Sequence, residues 1–529
     1  MRDFQLPGRS TVHAAEGMAA CSHPLATLTA VETLRAGGNA MDAAVAAAAV
    51  LAVVEPAMTG IGGDVFTLFS LGGTDKIIGF NGSGRAPAAA TVEKLRGQGL
   101  TEIAETSAHS VTVPGAVDAW ARLVADHGRK DLGFLLQPAI RYAEQGAVIA
   151  PKVAWDWARQ HAKLAADPNA ARIFMKDGRD YRPGERHQQP QLAETLKRIA
   201  REGRDGFYKG PVAEDIVKTL IGKGGLHTMD DLAATAGEYV EPISIPYRGW
   251  RVHQIPPNGQ GITILMMMRL LEGFDMTGLD PVGAERFHLE IEASRLAFRD
   301  RDERVADMRY AKVPIEQMLS EERLTKLRAS IDRERAMTNL PPSGFPEHKD
   351  TVYLCVVDRD RNAVSFINSV FASFGSGIVT NETGVVLQNR GQSFRLDPRH
   401  PNRIEGGKRP MHTIIPGMVT RDGRAVMPYG VMGGHYQPVG HTQVLNNMLD
   451  FDMDPQEAID NPRAFHRDGK VEVERGIPAA TVAGLQKLGH QVVTAEAPIG
   501  GAQAIWIDWQ TGTLMGGSEP RKDGCALGY

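Results

Sequence analysis

The chain has 529 residues, 42% apolar and 23% charged, which are ordinary values for a globular protein. A formal net charge of −4 gives no basis for a nucleic-acid partner or for docking on an anionic membrane surface. Cys21, Cys355 and Cys525 lie far apart and form no CxxC pair, which argues against a disulfide framework and a zinc site.

That cysteine usage favours a reducing compartment. Residues 1–9 lack the apolar core of a signal peptide. The longest apolar run, residues 43–54, is too short to span a bilayer. A cytoplasmic location is therefore expected, with no membrane partner.

Residues 18–22 read as a strand, and Pro24 opens a helix that Gly37-Gly38-Asn39 ends. An alanine-rich buried helix follows to Glu55-Pro56. The cluster Thr59-Gly60-Ile61-Gly62-Gly63-Asp64 stands between that helix and a strand over 65–70. This order is the reverse of a dinucleotide fingerprint, and no Lys-Ser/Thr follows. Close backbone approach is the reading kept for these glycines. A strand over 75–81 leads into Gly82-Ser83-Gly84-Arg85.

Helices and loops alternate to about residue 200, and Val113-Pro114-Gly115-Ala116 opens one helix. Residues 247–255 read as one strand, and 262–271 as a methionine-rich core helix. Arg299-Asp300-Arg301-Asp302-Glu303-Arg304 reads as a solvated helix face. Residues 323–349 turn polar and proline-rich, a linker composition. Two β-type runs around Asp358-Arg359-Asp360-Arg361-Asn362 then predict a hairpin. The chain reads as β-rich to about 431, with a helix over 442–449 and short strands at the end, including 503–508. There is no internal repeat.

Lys349-Asp350-Thr351 joins the linker to the hairpin. A threonine heading a strand is ordinarily there for its β-propensity. Here the stretch resembles the processing site of the γ-glutamyltransferase family, a branch of the N-terminal-nucleophile hydrolases. Further marks follow in order. They are Gly37-Gly38-Asn39-Ala40-Met41-Asp42, Gly60-Ile61-Gly62-Gly63-Asp64, Val113-Pro114-Gly115-Ala116, Phe374-Gly375-Ser376-Gly377-Ile378, Gly407-Lys408-Arg409-Pro410, Gly433-Gly434 and Gly517-Ser518-Glu519-Pro520-Arg521. Singly each is weak; together they cover residues 17–529.

The resemblance implies an α+β fold, the four-layer αββα sandwich. It also implies self-cleavage between Asp350 and Thr351. The large piece (1–350) and the small piece (351–529) would stay intertwined as a heterodimer, and a dimer of such pairs is left open. Thr351 becomes the nucleophile, because a hydroxyl needs an adjacent base and a freed N-terminal amine is one. Gly433 and Gly434 match the family's oxyanion glycines, where fixed backbone N–H groups face the developing charge; a plain turn is the alternative. Ser369 falls where the family has a hydroxyl beside the nucleophile. His435 is a supporting residue or a loop histidine. No metal or organic cofactor is implied.

Substrate recognition departs from the family pattern. Ser83 stands where γ-glutamyl enzymes carry an arginine for the substrate carboxylate, and Arg85 follows two residues later. Ser393 replaces the aspartate that holds the substrate amine, and Arg390 replaces a glutamine. His412-Thr413 replaces a Ser-Ser pair, and Phe371 an asparagine. The family implies γ-glutamyl, glutathione-like amides as substrates. These substitutions point to the alternative, small acidic amides without an α-amine, with Arg85 and Arg390 sharing the carboxylate.

Overall fold

The computed structural model describes residues 5, 8–338 and 351–529. Asp350 and the end of the expected linker lie outside the described residues. The start of that stretch is helical, Glu321–Arg328.

Helix α1 (Pro24–Arg35) leads to α2 (Ala40–Val54), and α2 is set by its cap. The Asn39 side chain accepts from Met41 N and Asp42 N, while Asp42 bonds back to Asn39 N. Every residue of α2 is buried. Alanine-sized side chains let it lie against α1, α3 (Leu132–Gln145) and the sheet beneath. The other helical face is built from α4 (Gly261–Leu271), α5 (Ala284–Arg304) and α6 (Gln437–Leu449).

The main strands in chain order are β1 (Val12–Ala14), β2 (Met18–Cys21), β3 (Asp64–Ser70), β4 (Ile77–Gly82), β5 (Glu238–Val240), β6 (Ile243–Tyr247), β7 (Trp250–Gln254), β8 (Val352–Val357), β9 (Ala363–Ser369), β10 (Gly417–Arg421), β11 (Arg424–Met432), β12 (Gly501–Asp508), β13 (Thr513–Ser518) and β14 (Cys525–Gly528). They form two seven-stranded sheets, β1-β13-β12-β11-β10-β7-β6 and β14-β2-β8-β9-β3-β4-β5.

The period of two along β8 shows the layering. Val352, Leu354 and Val356 pack with α2, whereas Tyr353, Cys355 and Val357 pack with Met418, Met432 and Ile505 of the other sheet. On the far side Val419, Met427 and Val431 pack under Ile262, Leu265, Val444 and Leu445 of α4 and α6. The result is helices, sheet, sheet, helices: the expected αββα sandwich. The three cysteines are unpaired. Among the described residues no helix is long and apolar enough to cross a membrane.

Four expectations are corrected. Residues 247–255 are not one strand: Arg248 and Gly249, at φ 45° and 83°, make the tight turn between β6 and β7. Asp300 and Arg301 are buried rather than solvated; Asp300 pairs with Arg323, and Arg301 with Asp302. Between β9 and β10 the chain carries only short helical turns and isolated bridges. Helix α6 starts at Gln437, earlier than expected, with Pro438 in its first turn, where a missing N–H costs nothing.

Candidate active site

Register brings the site together. Val352 pairs with Asn368, and Ser369 pairs with Asp64. Thr351, Ser369 and Asp64 therefore share one end of the neighbouring strands β8, β9 and β3. The Gly62-Gly63 turn permits this. A Cβ on Gly62 would stand 2.1 Å from Val386 O, and one on Gly63 2.2 Å from Ser369 O. Close approach is thus the reason for these glycines, as expected.

Thr351 is fully buried, and its Oγ1 lies 3.2 Å from Ser369 Oγ. Ser369 Oγ accepts from Phe371 N at 2.9 Å and from Arg390 Nη2 at 3.4 Å. Either hydroxyl can donate across the contact with Thr351. The turn that aims Phe371 N at the serine holds Phe371 at φ 81°, a conformation that L residues adopt at a cost.

Arg390 is fully buried. Its Nη1 donates to Thr413 Oγ1 at 2.7 Å, and its guanidinium stacks 4.1 Å from the centroid of Phe371. Its Nε has no acceptor, and no carboxylate among the described residues lies within ion-pair distance. Burial pushes this guanidinium down to about 9, with Asp64 offsetting part of the shift. It remains a cation at neutral pH.

Asp64 anchors the floor of the site. Its Oδ1 accepts from Gly84 N (2.8 Å), Gln388 Nε2 (2.8 Å) and Gly115 N (3.3 Å). Its Oδ2 meets His412 Nε2 at 3.0 Å. Ile414 N donates to His412 Nδ1, so Nε2 carries the proton. Burial, reinforced by Arg390, pushes His412 down to about 3, and the ring is neutral. A buried carboxylate needs such donors to remain charged.

After β11 the chain turns at Gly433 and Gly434, at φ 127° and 58°. Tyr436 N donates to Gly433 O at 3.0 Å, and Gln260 Nε2 to Gly434 O at 3.3 Å. Each carbonyl shares a peptide plane with the next N–H, so these bonds fix the N–H groups of Gly434 and His435. Gln260 Nε2 also donates to Thr413 O, and Gln260 Oε1 accepts from the buried Arg301. Arg301 Nη1 in turn lies 3.0 Å from His435 Nδ1. His435 is thereby tied to the glycine turn through Arg301 and Gln260. Hydrogen bonds link Thr351 through Ser369 and Arg390 to the Thr413 side chain, and Gln260 joins the Thr413 carbonyl to that of Gly434.

Arg85 is placed elsewhere. Its partners are Gly407 O (3.0 Å), Asp307 (3.6 Å) and Glu238 (3.8 Å), which meet its charge with local acids. Arg390, not Arg85, adjoins Ser369. Ser393 is buried with an unpartnered Oγ, and its carbonyl accepts from Asn402. Asp64, Gln388, Gln260 and Arg301 received no role from the sequence. Asp64 was visible as the end of the glycine cluster; the others carry no local signal.

The family profile described as Gamma-glutamyltranspeptidase matches residues 26–529. The chain belongs to the gamma-glutamyltranspeptidase family. It is 38% identical over 520 residues to the "Glutathione hydrolase-like YwrD proenzyme" of Bacillus subtilis, covering 97% of this chain and 98% of that one. It is 35% identical over 527 residues to the "Oxamate amidohydrolase proenzyme" of Klebsiella pneumoniae, covering 97% and 98%. Among solved structures, a cephalosporin acylase from Bacillus halodurans superposes with a TM-score of 0.93 at 41% identity, covering 100% and 99%. This membership makes the chain an autoprocessing hydrolase of amide bonds, made as a proenzyme and cut into two associated pieces.

Proposed function

We propose that Thr351 is both the processing and the catalytic nucleophile, and that the enzyme prefers amides whose acyl group bears a carboxylate but no α-amine. In processing, Thr351 Oγ1 attacks the carbonyl carbon of Asp350, and the peptide nitrogen leaves as the Thr351 amine. Water then hydrolyses the Asp350–Thr351 ester. In turnover the freed amine takes the Oγ1 proton, directly or through water, while Oγ1 attacks the substrate carbonyl. The leaving amine departs with a proton, and water releases the acyl group. Ser369 donates to Oγ1 and stabilises the charge that builds there. The Gly433-Gly434 turn supplies N–H donors to the substrate oxyanion.

The substrate preference rests on one observation. Arg390 is a buried cation beside Ser369, and among the described residues no carboxylate lies within ion-pair distance of it. Burying an unpaired charge costs several kcal/mol, and an acidic substrate offsets that cost. Ser393, at the position expected to hold an amine, brings no negative charge. Oxamate, which names one relative, is an amide of this kind. The γ-glutamyl amides implied by the family carry such a carboxylate too, but add an ammonium that Arg390 would repel and that Ser393 cannot pair.

Steady-state kinetics on matched glutaryl and γ-glutamyl anilides test this. A charge-assisted hydrogen bond is worth roughly 1.5–3 kcal/mol, or about ten- to over a hundredfold in kcat/KM. The glutaryl compound is expected to lead by that margin, and Arg390→Gln to remove most of its lead. A clear preference for the γ-glutamyl compound would restore the glutathione-type assignment.

A further inference from the structure

Away from Thr351, the outer helical layer holds a buried cluster that the chemistry above does not use. His288 and Glu292 are one turn apart on α5, so they share a face. His490 comes from the loop after the helix Ala479–Lys487. One ligand-type atom from each of the three lies within 4.8 Å of the others. His288 and Glu292 are fully buried, and His490 nearly so. His490, Arg295 and Met337 also line a cleft of about 1000 Å³, which gives the cluster a route to solvent.

The surrounding bonds already hold His288 and Glu292 in the orientation of ligands. His288 Nε2 lies 2.7 Å from Asp332 O. A carbonyl only accepts, so Nε2 carries the proton and Nδ1 presents its lone pair inward. That lone pair faces His490 Nε2 at 2.8 Å. The Glu292 carboxylate is oriented by Met337 N and Arg295 Nη1, each at 2.8 Å. Backbone and side-chain bonds of this kind orient the ligands in metal sites.

We propose that His288 Nδ1, His490 Nε2 and a Glu292 oxygen bind one divalent zinc-class ion, leaving a fourth position toward the cleft. Two imidazoles and one carboxylate suit Zn²⁺ and not the oxygen-seeking Mg²⁺ or Ca²⁺. His490 binds as the tautomer with its proton on Nδ1, so that Nε2 is free to coordinate. No net proton need be released. Arg295 tempers the negative charge of Glu292, so binding is weaker than at an all-anionic site.

The ion would act as a clamp. His288 and Glu292 precede Thr351 in the chain, whereas His490 follows it. Asp332 and Met337, which hold the ligands, lie a few residues before the segment that leads to Thr351. Once the chain is cut, a shared ion would join the two pieces across their interface.

The test uses the full, processed protein, stripped with a chelator and titrated with Zn²⁺ by calorimetry and with Co²⁺ by visible absorption. One equivalent is expected, with the Co²⁺ d–d bands of a four-coordinate nitrogen–oxygen site. At a hundredfold excess over Kd the melting temperature should rise by about 2–3 °C. His490→Gln should abolish the bands and the rise. Glu292→Gln, which leaves the His–His bond in place, should weaken binding at least tenfold. If the stripped protein takes up no more metal than His490→Gln, or if its melting temperature does not move, the cluster is a plain histidine hydrogen bond and the proposal fails.

Discussion

Thr351→Ala will accumulate as one uncut chain, with amide hydrolysis at background. The substitution removes the Oγ1 that attacks in both processing and turnover. Loss of a nucleophile typically costs about 10⁴-fold or more in rate. The fold should survive. Ser369 keeps its bonds from Phe371 N and Arg390, and each hydrogen bond lost with Oγ1 costs only ~1 kcal/mol. A denaturing gel and an anilide assay read both effects. Thr351→Ser keeps a hydroxyl and should still cut, more slowly. Cleavage at the same bond in the alanine variant would remove Thr351 from the processing step.

Gly434→Ala is expected to lower kcat by about a hundred- to a thousandfold, the usual loss for one oxyanion donor. At φ 58° an alanine is strained by roughly 1–2 kcal/mol, and the peptide planes fixed by Tyr436 N and Gln260 shift to relieve it. Strain alone must be separated from mechanism. Gly512 has φ 73° and no atom within 4 Å of an added Cβ, so Gly512→Ala carries a similar backbone cost far from the site. It should lose similar stability and keep full activity. Equal activity in the two folded variants would take the glycine turn out of the mechanism.

Much of the frame was legible because it is local. The Gly37-Gly38-Asn39 break between two helices, the alanine run and the hairpin around Asp358–Asn362 each state their structure in a few residues. The order of the family marks carried the αββα expectation. The glycine cluster at 60–63 announced close approach, and the atoms it approaches are those of Ser369 and Val386. What could not be read is long-range. Arg301 sits in an alternating-charge run that looks solvated, yet it is buried because Gln260 and His435, 41 and 134 residues away in the chain, meet its guanidinium. Arg85 and Arg390 read as equal candidates. Asp307 and Glu238, remote in sequence, pair with the first, and among the described residues no carboxylate pairs with the second. The turn at Arg248-Gly249 was hidden because arginine rarely takes a positive φ. The His288–Glu292–His490 cluster spans some 200 residues, and only its helical half shows a spacing.

The central claim is that Thr351, freed by cleavage after Asp350, does the chemistry. Intact-mass measurement of the purified, active protein under denaturing conditions tests it most directly. Two masses are predicted, one for residues 1–350 and one for residues 351–529 with a free N-terminal threonine. A small piece beginning at any other residue, or full activity in a preparation that is one uncut chain, would contradict it.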